Sequence, residues 1–133
     1  MTSEQHQYQH IDPSMLLDAA CNDIEAFLDL SATFLDIVPP MFMRLQTAIA
    51  CGNMQAITLE SHSLKSTFAL VGAKQTATLL SRIEAMSHSA TIDDIKPMMT
   101  ELTTLCAASQ AEVRDSIVHF KAKNDSASSN PSD

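Results

Sequence analysis

Tryptophan is absent from this sequence of 133 residues, glycine occurs twice, and lysine and arginine occur eight times against sixteen aspartates and glutamates. The formal net charge of −8 argues against nucleic-acid binding, because affinity for a phosphate backbone requires a clustered positive surface. The few basic residues are scattered along the chain. An acidic chain of this kind favours a protein or a small molecule as its partner.

Cysteine is also rare, and its three occurrences at Cys21, Cys51 and Cys106 are widely separated. An odd, dispersed set argues against a disulfide framework, and the short paired spacing of zinc ligands does not occur. We therefore expect no metal site and no cofactor. All three cysteines are interpreted as small residues in or near the core.

No run of about 18 apolar residues is present, which argues against a membrane-spanning helix. The first ten residues, MTSEQHQYQH, lack the basic and apolar segments of a secretory signal. We therefore expect a cytoplasmic protein without membrane association. Polar composition predicts disordered tails at residues 1–11 and 121–133, which leaves one domain at residues 12–120.

Apolar residues recur at helical spacing through this domain, and the alternation typical of strands is not sustained anywhere. Asn22 is predicted to cap the second helix together with Glu25, Pro39–Pro40 to end it, and Gly52 to end the third. Short connections predict an all-α, up-down bundle of antiparallel neighbours. With their caps, the predicted helices cover residues 13–20, 22–38, 40–51, 53–72, 74–87 and 91–120, and Pro97 marks either a kink or the true start of the last one.

The fourth predicted helix contains the stretch TLESHSLKSTFALVGA, residues 58–73, in which a histidine and a lysine interrupt the pattern. On a wheel of about 100° per residue, His62 lies about 140° from the centre of the apolar stripe. His62 is therefore predicted to project from the side of the bundle. The stripe itself consists of Ile57, Ser61, Leu64, Phe68 and Val71.

Lys65 and Ser66 follow His62 at the i+3 and i+4 positions, which are its neighbours on a helix surface. An exposed imidazole can act as a nucleophile, and the ammonium group of Lys65 would stabilise a dianionic group attached to it. The three residues therefore form a candidate phosphoryl-accepting site. The alternative is that His62 is an ordinary surface histidine, which this spacing alone does not exclude.

Glu84 is the fourth candidate, because it lies twelve residues after Gly72 whereas His62 lies ten residues before it. In an antiparallel helix pair that turns at Gly72, the two side chains stand at nearly the same height. Glu84 is predicted to accept the Nδ1 proton of His62, which would fix the tautomer and leave Nε2 facing outward. The alternative is an ordinary surface charge beside Arg82.

The segment SHSLKSTFALVGA resembles the signature of the histidine-containing phosphotransfer (HPt) domain family, in which a small residue, His, any residue, Leu and Lys are followed by a short stretch to Gly-Ala. The upstream segment FLDIVPPMFMRLQTAIACGNMQAI and the downstream segment LLSRIEAM are similar to the flanking helices of that family. The resemblance covers about residues 13–120.

The resemblance implies a four-helix bundle with an additional short N-terminal helix. It also implies that His62 is the phosphoacceptor and Lys65 the phosphate partner, in a carrier without kinase activity of its own. The expected partners are receiver domains of a hybrid sensor kinase and of a response regulator, and these receiver domains supply the Mg²⁺. The carrier itself is expected to be a monomer. Ser66 occupies the position at which the family usually has glycine, so the rate of phosphoryl transfer or the choice of partner is expected to differ. A polar residue near the histidine is expected within residues 41–45.

Two other functions stay open. A binding-only module would use the same face to sequester a receiver domain or another regulator without phosphoryl transfer. A small metal-binding protein is suggested by His6 and His10 at i, i+4 spacing, although the surrounding tail is too polar to hold a helix.

Candidate docking residues are Leu59, Ala69 and Leu70, for which the alternative is contact with the short N-terminal helix.

Overall fold

The computed structural model describes residues 7–128, and this part of the chain contains six helices. The four long helices α2, α3, α4 and α6 form a closed ring of contacts, α2 with α3, α3 with α4, α4 with α6 and α6 with α2. The predicted all-α, antiparallel four-helix bundle is therefore confirmed, with α1 as the additional short helix. The helices are α1 (Pro13–Ala19), α2 (Ile24–Cys51), α3 (Met54–Leu70), α4 (Lys74–Met86), α5 (Ile92–Ile95) and α6 (Met98–Ser128).

The inner face of α3 determines which of its residues reach solvent. This helix buries the predicted stripe, which includes Ile57, Leu64 and Phe68. The buried hydroxyl of Ser61 donates a hydrogen bond of 2.6 Å to the carbonyl of Ile57, so its burial leaves no polar group unpaired. The opposite face of α3, which carries His62, is left to solvent.

The prediction that Pro39 and Pro40 end a helix is wrong, because α2 runs through both of them. A proline inside a helix removes a hydrogen bond and costs roughly 3 kcal/mol or more. Both prolines are exposed, so water can reach this side of the helix. On the inner face α2 buries Phe34, Val38 and Leu45, each of which contributes roughly 1.5–3 kcal/mol. Packing of these residues therefore offsets the cost of the two prolines.

The start of α2 also differs from the prediction, because Asp23 is the N-cap instead of Asn22. The Oδ1 atom of Asp23 accepts hydrogen bonds from the backbone N–H groups of Glu25 at 3.0 Å and Ala26 at 3.3 Å. Asn22 has a φ of 62°, and its N–H donates to the carbonyl of Leu17 at 2.8 Å. Asparagine tolerates this left-handed conformation well, so it closes α1 and leaves the cap of α2 to its neighbour.

Residues 7–11 pack against the bundle, although the sequence predicted a disordered tail there. Ile11 is buried, and the backbone N–H of His10 donates to Oε1 of Glu112 on α6 at 2.8 Å. Tyr8 is also partly buried against the core, so two side chains and one carboxylate acceptor dock a segment whose composition is otherwise polar. The remainder of the predicted tail, residues 1–6, lies outside the described residues.

The last helix differs from the prediction at both ends. It begins at Met98, directly after Pro97, so this proline marks the true start, where its missing N–H removes no helical bond. It continues to Ser128, eight residues past the predicted end of the domain. Lysine and alanine in this extension favour helix, and lengthening an existing helix requires no new nucleus. Residues 129–133 lie outside the described residues.

The cysteines divide into one core residue and two surface residues. Cys106 is buried as predicted, and burial raises the pKa of its thiol to about 12. Cys21 and Cys51 are exposed, which corrects the prediction for these two. Both lie where a helix gives way to a turn, and helical periodicity no longer determines which side faces the core at such positions.

Among the described helices, α2 is long and apolar enough in composition to cross a membrane. The core helix of a soluble protein meets the same two criteria. α2 also places Phe27, Phe34, Val38 and Leu45 in the core of the bundle. Length and composition are therefore weak support for a membrane span here.

Candidate functional site

The hairpin of α3 and α4 positions the residues predicted for the site. Asn53 caps the start of α3, where its side chain accepts a hydrogen bond from the N–H of Ala56 at 3.1 Å. The chain reverses at Gly72, which has a φ of 72°. A Cβ at this position would come within 2.5 Å of the Cβ of Asp12, so a side chain would displace the N-terminal segment. This tight reversal brings α4 alongside the exposed face of α3.

His62 and Glu84 meet across this hairpin. Nδ1 of His62 lies 3.0 Å from Oε2 of Glu84. The His62 side chain is 60% exposed, whereas that of Glu84 is 22% exposed. One edge of the imidazole is thus held against α4, and the rest of the ring faces solvent.

Lys65 binds the same carboxylate. Its Nζ donates to the other oxygen of Glu84, Oε1, at 2.9 Å. The hydrogen bond from Lys65 lowers the pKa of Glu84 most, burial opposes this effect, and the hydrogen bond from His62 lowers the pKa further. Glu84 is therefore ionised at neutral pH and can only accept hydrogen bonds. In the neutral imidazole, Nδ1 of His62 therefore carries the proton in this contact and Nε2 has the free lone pair.

Ser66 lies beside His62 on the same exposed face. The hydroxyls of Thr58, Ser61 and Thr67 on this helix each donate to the carbonyl four residues earlier. The hydroxyl of Ser66 makes no such bond within the described part of the chain. A small side chain with an available hydroxyl therefore occupies the position next to the imidazole.

Arg44 on α2 forms an ion pair with α3 that the sequence did not assign. Its Nε lies 3.2 Å from Oε1 of Glu60, two residues before His62. Arg44 falls within residues 41–45, where a polar residue was expected. The spacing contained a usable signal, because Arg44 lies eight residues before Gly52 and Glu60 lies eight residues after it. Arg44 and Glu60 therefore stand at the same height in their hairpin, as His62 and Glu84 nearly do in the next one.

Large apolar side chains are exposed around the histidine. Leu59 is 66% exposed and Leu70 is 57% exposed, and Ala69 is also exposed. On the helical wheel all three lie within about 80° of His62. Leu70 lines a groove together with Leu16 of α1, but its exposure shows that α1 does not cover it. Exposed apolar residues grouped in this way are typical of protein-binding surfaces.

Within residues 7–128, no group of three or more His, Cys, Asp or Glu side chains is arranged to hold a metal ion. The alternative of a metal site at His6 and His10 depends on His6, which lies outside the described residues. His10 itself is partly buried, with its backbone N–H on Glu112.

Comparison with known proteins gives the family of this chain. The profile of the Hpt domain family matches residues 29–112, well over half of the chain. The chain therefore belongs to the Hpt domain family, and the resemblance predicted from the sequence is confirmed. Members of this family are phosphotransfer carriers in phosphorelays and interact with receiver domains; they are not kinases. Proteins of this family are typically soluble.

A solved structure supports the same fold. The chain is similar to the crystal structure of histidine-containing phosphotransfer protein B (HptB) from Pseudomonas aeruginosa PAO1, with a TM-score of 0.75. The alignment covers 84% of this chain and 96% of that chain, at 17% sequence identity. A comparison with curated protein sequences gave no significant match.

Proposed function

We propose that His62 is the phosphoacceptor of this carrier and that it exchanges a phosphoryl group with aspartates of receiver domains. The observation that carries the proposal is the contact of 3.0 Å between Nδ1 of His62 and the carboxylate of Glu84. This contact leaves the Nε2 lone pair directed away from α4, on a ring that is 60% exposed. A nucleophile in this arrangement is accessible to the active site of a second protein.

The reaction itself is a displacement at phosphorus. Nε2 of His62 attacks the aspartyl phosphate of the receiver, the N–P bond forms, and the P–O bond breaks with its electron pair moving to the receiver aspartate. The Nδ1 proton stays on the ring, hydrogen-bonded to Glu84. The same steps in reverse deliver the phosphoryl group to a second receiver. No ATP takes part, and the Mg²⁺ is expected to belong to the receiver.

Lys65 acts as the phosphate partner in this proposal. Its ammonium group has three donors, of which one bonds Glu84 at 2.9 Å. Lys65 and His62 are neighbours on the helix surface, so a remaining donor can bond a phosphoryl oxygen on Nε2. Its positive charge would offset the charge of the phosphoryl group.

The surface around His62 suits a receiver domain as the partner. Leu59 and Leu70, which are 66% and 57% exposed, supply apolar contact area on the helix face of His62, and Ile37 of α2 lines a groove with Leu70. Ser66 adds a hydroxyl without much bulk, so transfer is expected to survive at an altered rate. We further propose that the protein acts in the cytoplasm as a monomer, between a hybrid sensor kinase and a response regulator.

The experiment is transfer of labelled phosphate from each phosphorylated receiver domain of the source organism to the purified chain. Label should appear on the wild type, should be acid-labile, and should be absent from His62→Gln with unchanged helicity. His88→Gln is the matched control, because His88 is also exposed and lies just beyond α4. Acid-labile label on His62→Gln would contradict the assignment. A stable complex with a receiver without any transfer would favour the binding-only module instead.

A further inference from the structure

Glu84 holds two groups with one carboxylate. Oε2 lies 3.0 Å from Nδ1 of His62, and Oε1 accepts from Nζ of Lys65 at 2.9 Å. The nucleophile and the cation expected to bind its phosphoryl group are therefore both tied to the same anion before any phosphate arrives. A residue placed in this way acts on the phosphorylated state through both neighbours.

We propose that Glu84 is a positioning residue that limits the lifetime of the phosphohistidine and keeps it reactive towards transfer. This inference rests on the proposed role of His62 as phosphoacceptor. It assigns Glu84 a role after phosphorylation, in addition to fixing the tautomer of the free imidazole.

Glu84 acts first on the proton of Nδ1. When the phosphoryl group leaves, the N–P bond breaks and its electron pair returns to Nε2. If Nδ1 carries a proton, the leaving group is a neutral imidazole, whereas without that proton it would be an imidazolate anion, which is a poor leaving group. A carboxylate at 3.0 Å stabilises the protonated, positively charged ring of the phosphohistidine. Glu84 therefore favours the form from which the phosphoryl group departs readily.

Glu84 also acts on the ammonium group of Lys65. A cation fully committed to the phosphoryl oxygens would stabilise the phosphohistidine. Glu84 competes for that cation through the bond of 2.9 Å, and its own negative charge repels the phosphoryl dianion nearby. Both effects shorten the lifetime of the phosphorylated state, as does the stabilised proton on Nδ1.

The chain offers a matched control in Glu60. This residue lies on α3 near His62, is 25% exposed, and pairs with Arg44 at 3.2 Å. It resembles Glu84 in charge, exposure and ion pairing, but no contact joins it to His62 within the described residues. Glu60→Gln therefore removes the same charge without touching the proposed mechanism.

The test loads the wild type, Glu84→Gln and Glu60→Gln with the small-molecule donor phosphoramidate and follows the phosphohistidine of His62 by ³¹P NMR at neutral pH. His62→Gln identifies the signal of His62 among the other histidines. The amide oxygen of glutamine can still accept the Nδ1 proton, so the fold and tautomer should be retained. We expect the phosphohistidine of Glu84→Gln to persist about tenfold longer, which corresponds to about 1.4 kcal/mol, and that of Glu60→Gln to match the wild type.

An unchanged or shorter lifetime in Glu84→Gln would overturn the inference, as would equal lengthening in Glu60→Gln. The contribution of Lys65 is tested by repeating the comparison in Lys65→Ala, where Glu84→Gln should lengthen the lifetime by a smaller factor. An identical factor in both backgrounds would overturn the competition for Lys65. Phosphoramidate replaces the receiver as the phosphoryl donor, so this test does not depend on transfer from a receiver. A lifetime effect in Glu84→Gln without any transfer from receivers would contradict the proposed function but not this inference.

Discussion

Two helical hairpins share α3, and they are built alike. The α2–α3 hairpin turns at Gly52 and is bridged by Arg44 and Glu60 at 3.2 Å. The α3–α4 hairpin turns at Gly72 and is bridged by a lysine and a glutamate at 2.9 Å. In both cases a glycine with positive φ sets the register that brings the charges together. The difference is that the carboxylate of the second hairpin also contacts His62.

The comparison shows that an ion pair alone does not make a functional site. Exposed ion pairs contribute roughly 0–1 kcal/mol to stability, so neither bridge is needed mainly to hold the bundle. In the proposed function, the second bridge differs from the first because its anion orients the nucleophile His62 and its cation lies one helical turn from that residue. The same kind of ion pair is thus a surface feature in one hairpin and part of the proposed site in the other.

The largest difference between the hairpins should appear when each cation is removed. Lys65→Ala should slow phosphoryl transfer from a receiver by roughly 10- to 100-fold, because a charge-assisted hydrogen bond contributes roughly 1.5–3 kcal/mol. Arg44→Ala breaks the other bridge, an exposed ion pair that does not contact His62 within the described residues. The rate of phosphoryl transfer should therefore change by less than about twofold. Rapid-quench kinetics of both variants gives the comparison. Equal slowing in the two would remove the special role of Lys65.

The turns should also differ in what they tolerate. Alanine at Gly52 meets no atom within 4 Å, so its cost is that of the left-handed conformation, roughly 1–2 kcal/mol. Alanine at Gly72 adds a clash, because its Cβ would lie 2.5 Å from the Cβ of Asp12 and 2.8 Å from its backbone nitrogen. Overpacking of this kind costs roughly a further 1–3 kcal/mol. Urea unfolding of Gly52→Ala and Gly72→Ala measures both, and equal destabilisation would contradict the close packing at the second turn.

The smallest expected effect is on the pH dependence of stability. The pKa of Glu84 is lowered in the folded protein by Lys65 first and by His62 second, from its ordinary value of 4.5. Its contribution is therefore present above pH 4.5 and is lost as the pH falls through the lower, folded value. The difference in unfolding free energy between the wild type and Glu84→Gln should shrink on acidification below pH 4.5. A difference that stays constant from pH 7 to pH 3 would argue against the linkage.

The sequence predicted the turns and the buried stripe of α3 because these depend on local rules. Gly52 and Asn53 follow simple turn and cap preferences, and the stripe follows helical periodicity. The break at Pro39–Pro40 was predicted on the same local basis and is wrong, since packing of the flanking core residues outweighs the local cost of proline. Ile11 was missed for a related reason, because a tail with one buried residue looks polar by composition.

The site was predictable to the extent that hairpin geometry determines it. Counting from Gly72 brought Glu84 to the height of His62, and the structure places the two in contact. The bond between Lys65 and Glu84 was not predicted, because a long flexible side chain can reach several partners and helical spacing does not choose among them. The chemistry of His62 was suggested by its neighbours, but it took the family resemblance to raise it above an ordinary surface histidine.

The most direct test of the account is the position of the phosphoryl group on the chain after incubation with a phosphorylated receiver domain. A ¹H–³¹P correlation spectrum of the product should show phosphorus bonded to Nε2 of a single histidine, and the signal should be missing from His62→Gln. Phosphorus on Nδ1 of His62, or on any other residue, would contradict the geometry in which Glu84 occupies Nδ1 and leaves Nε2 free.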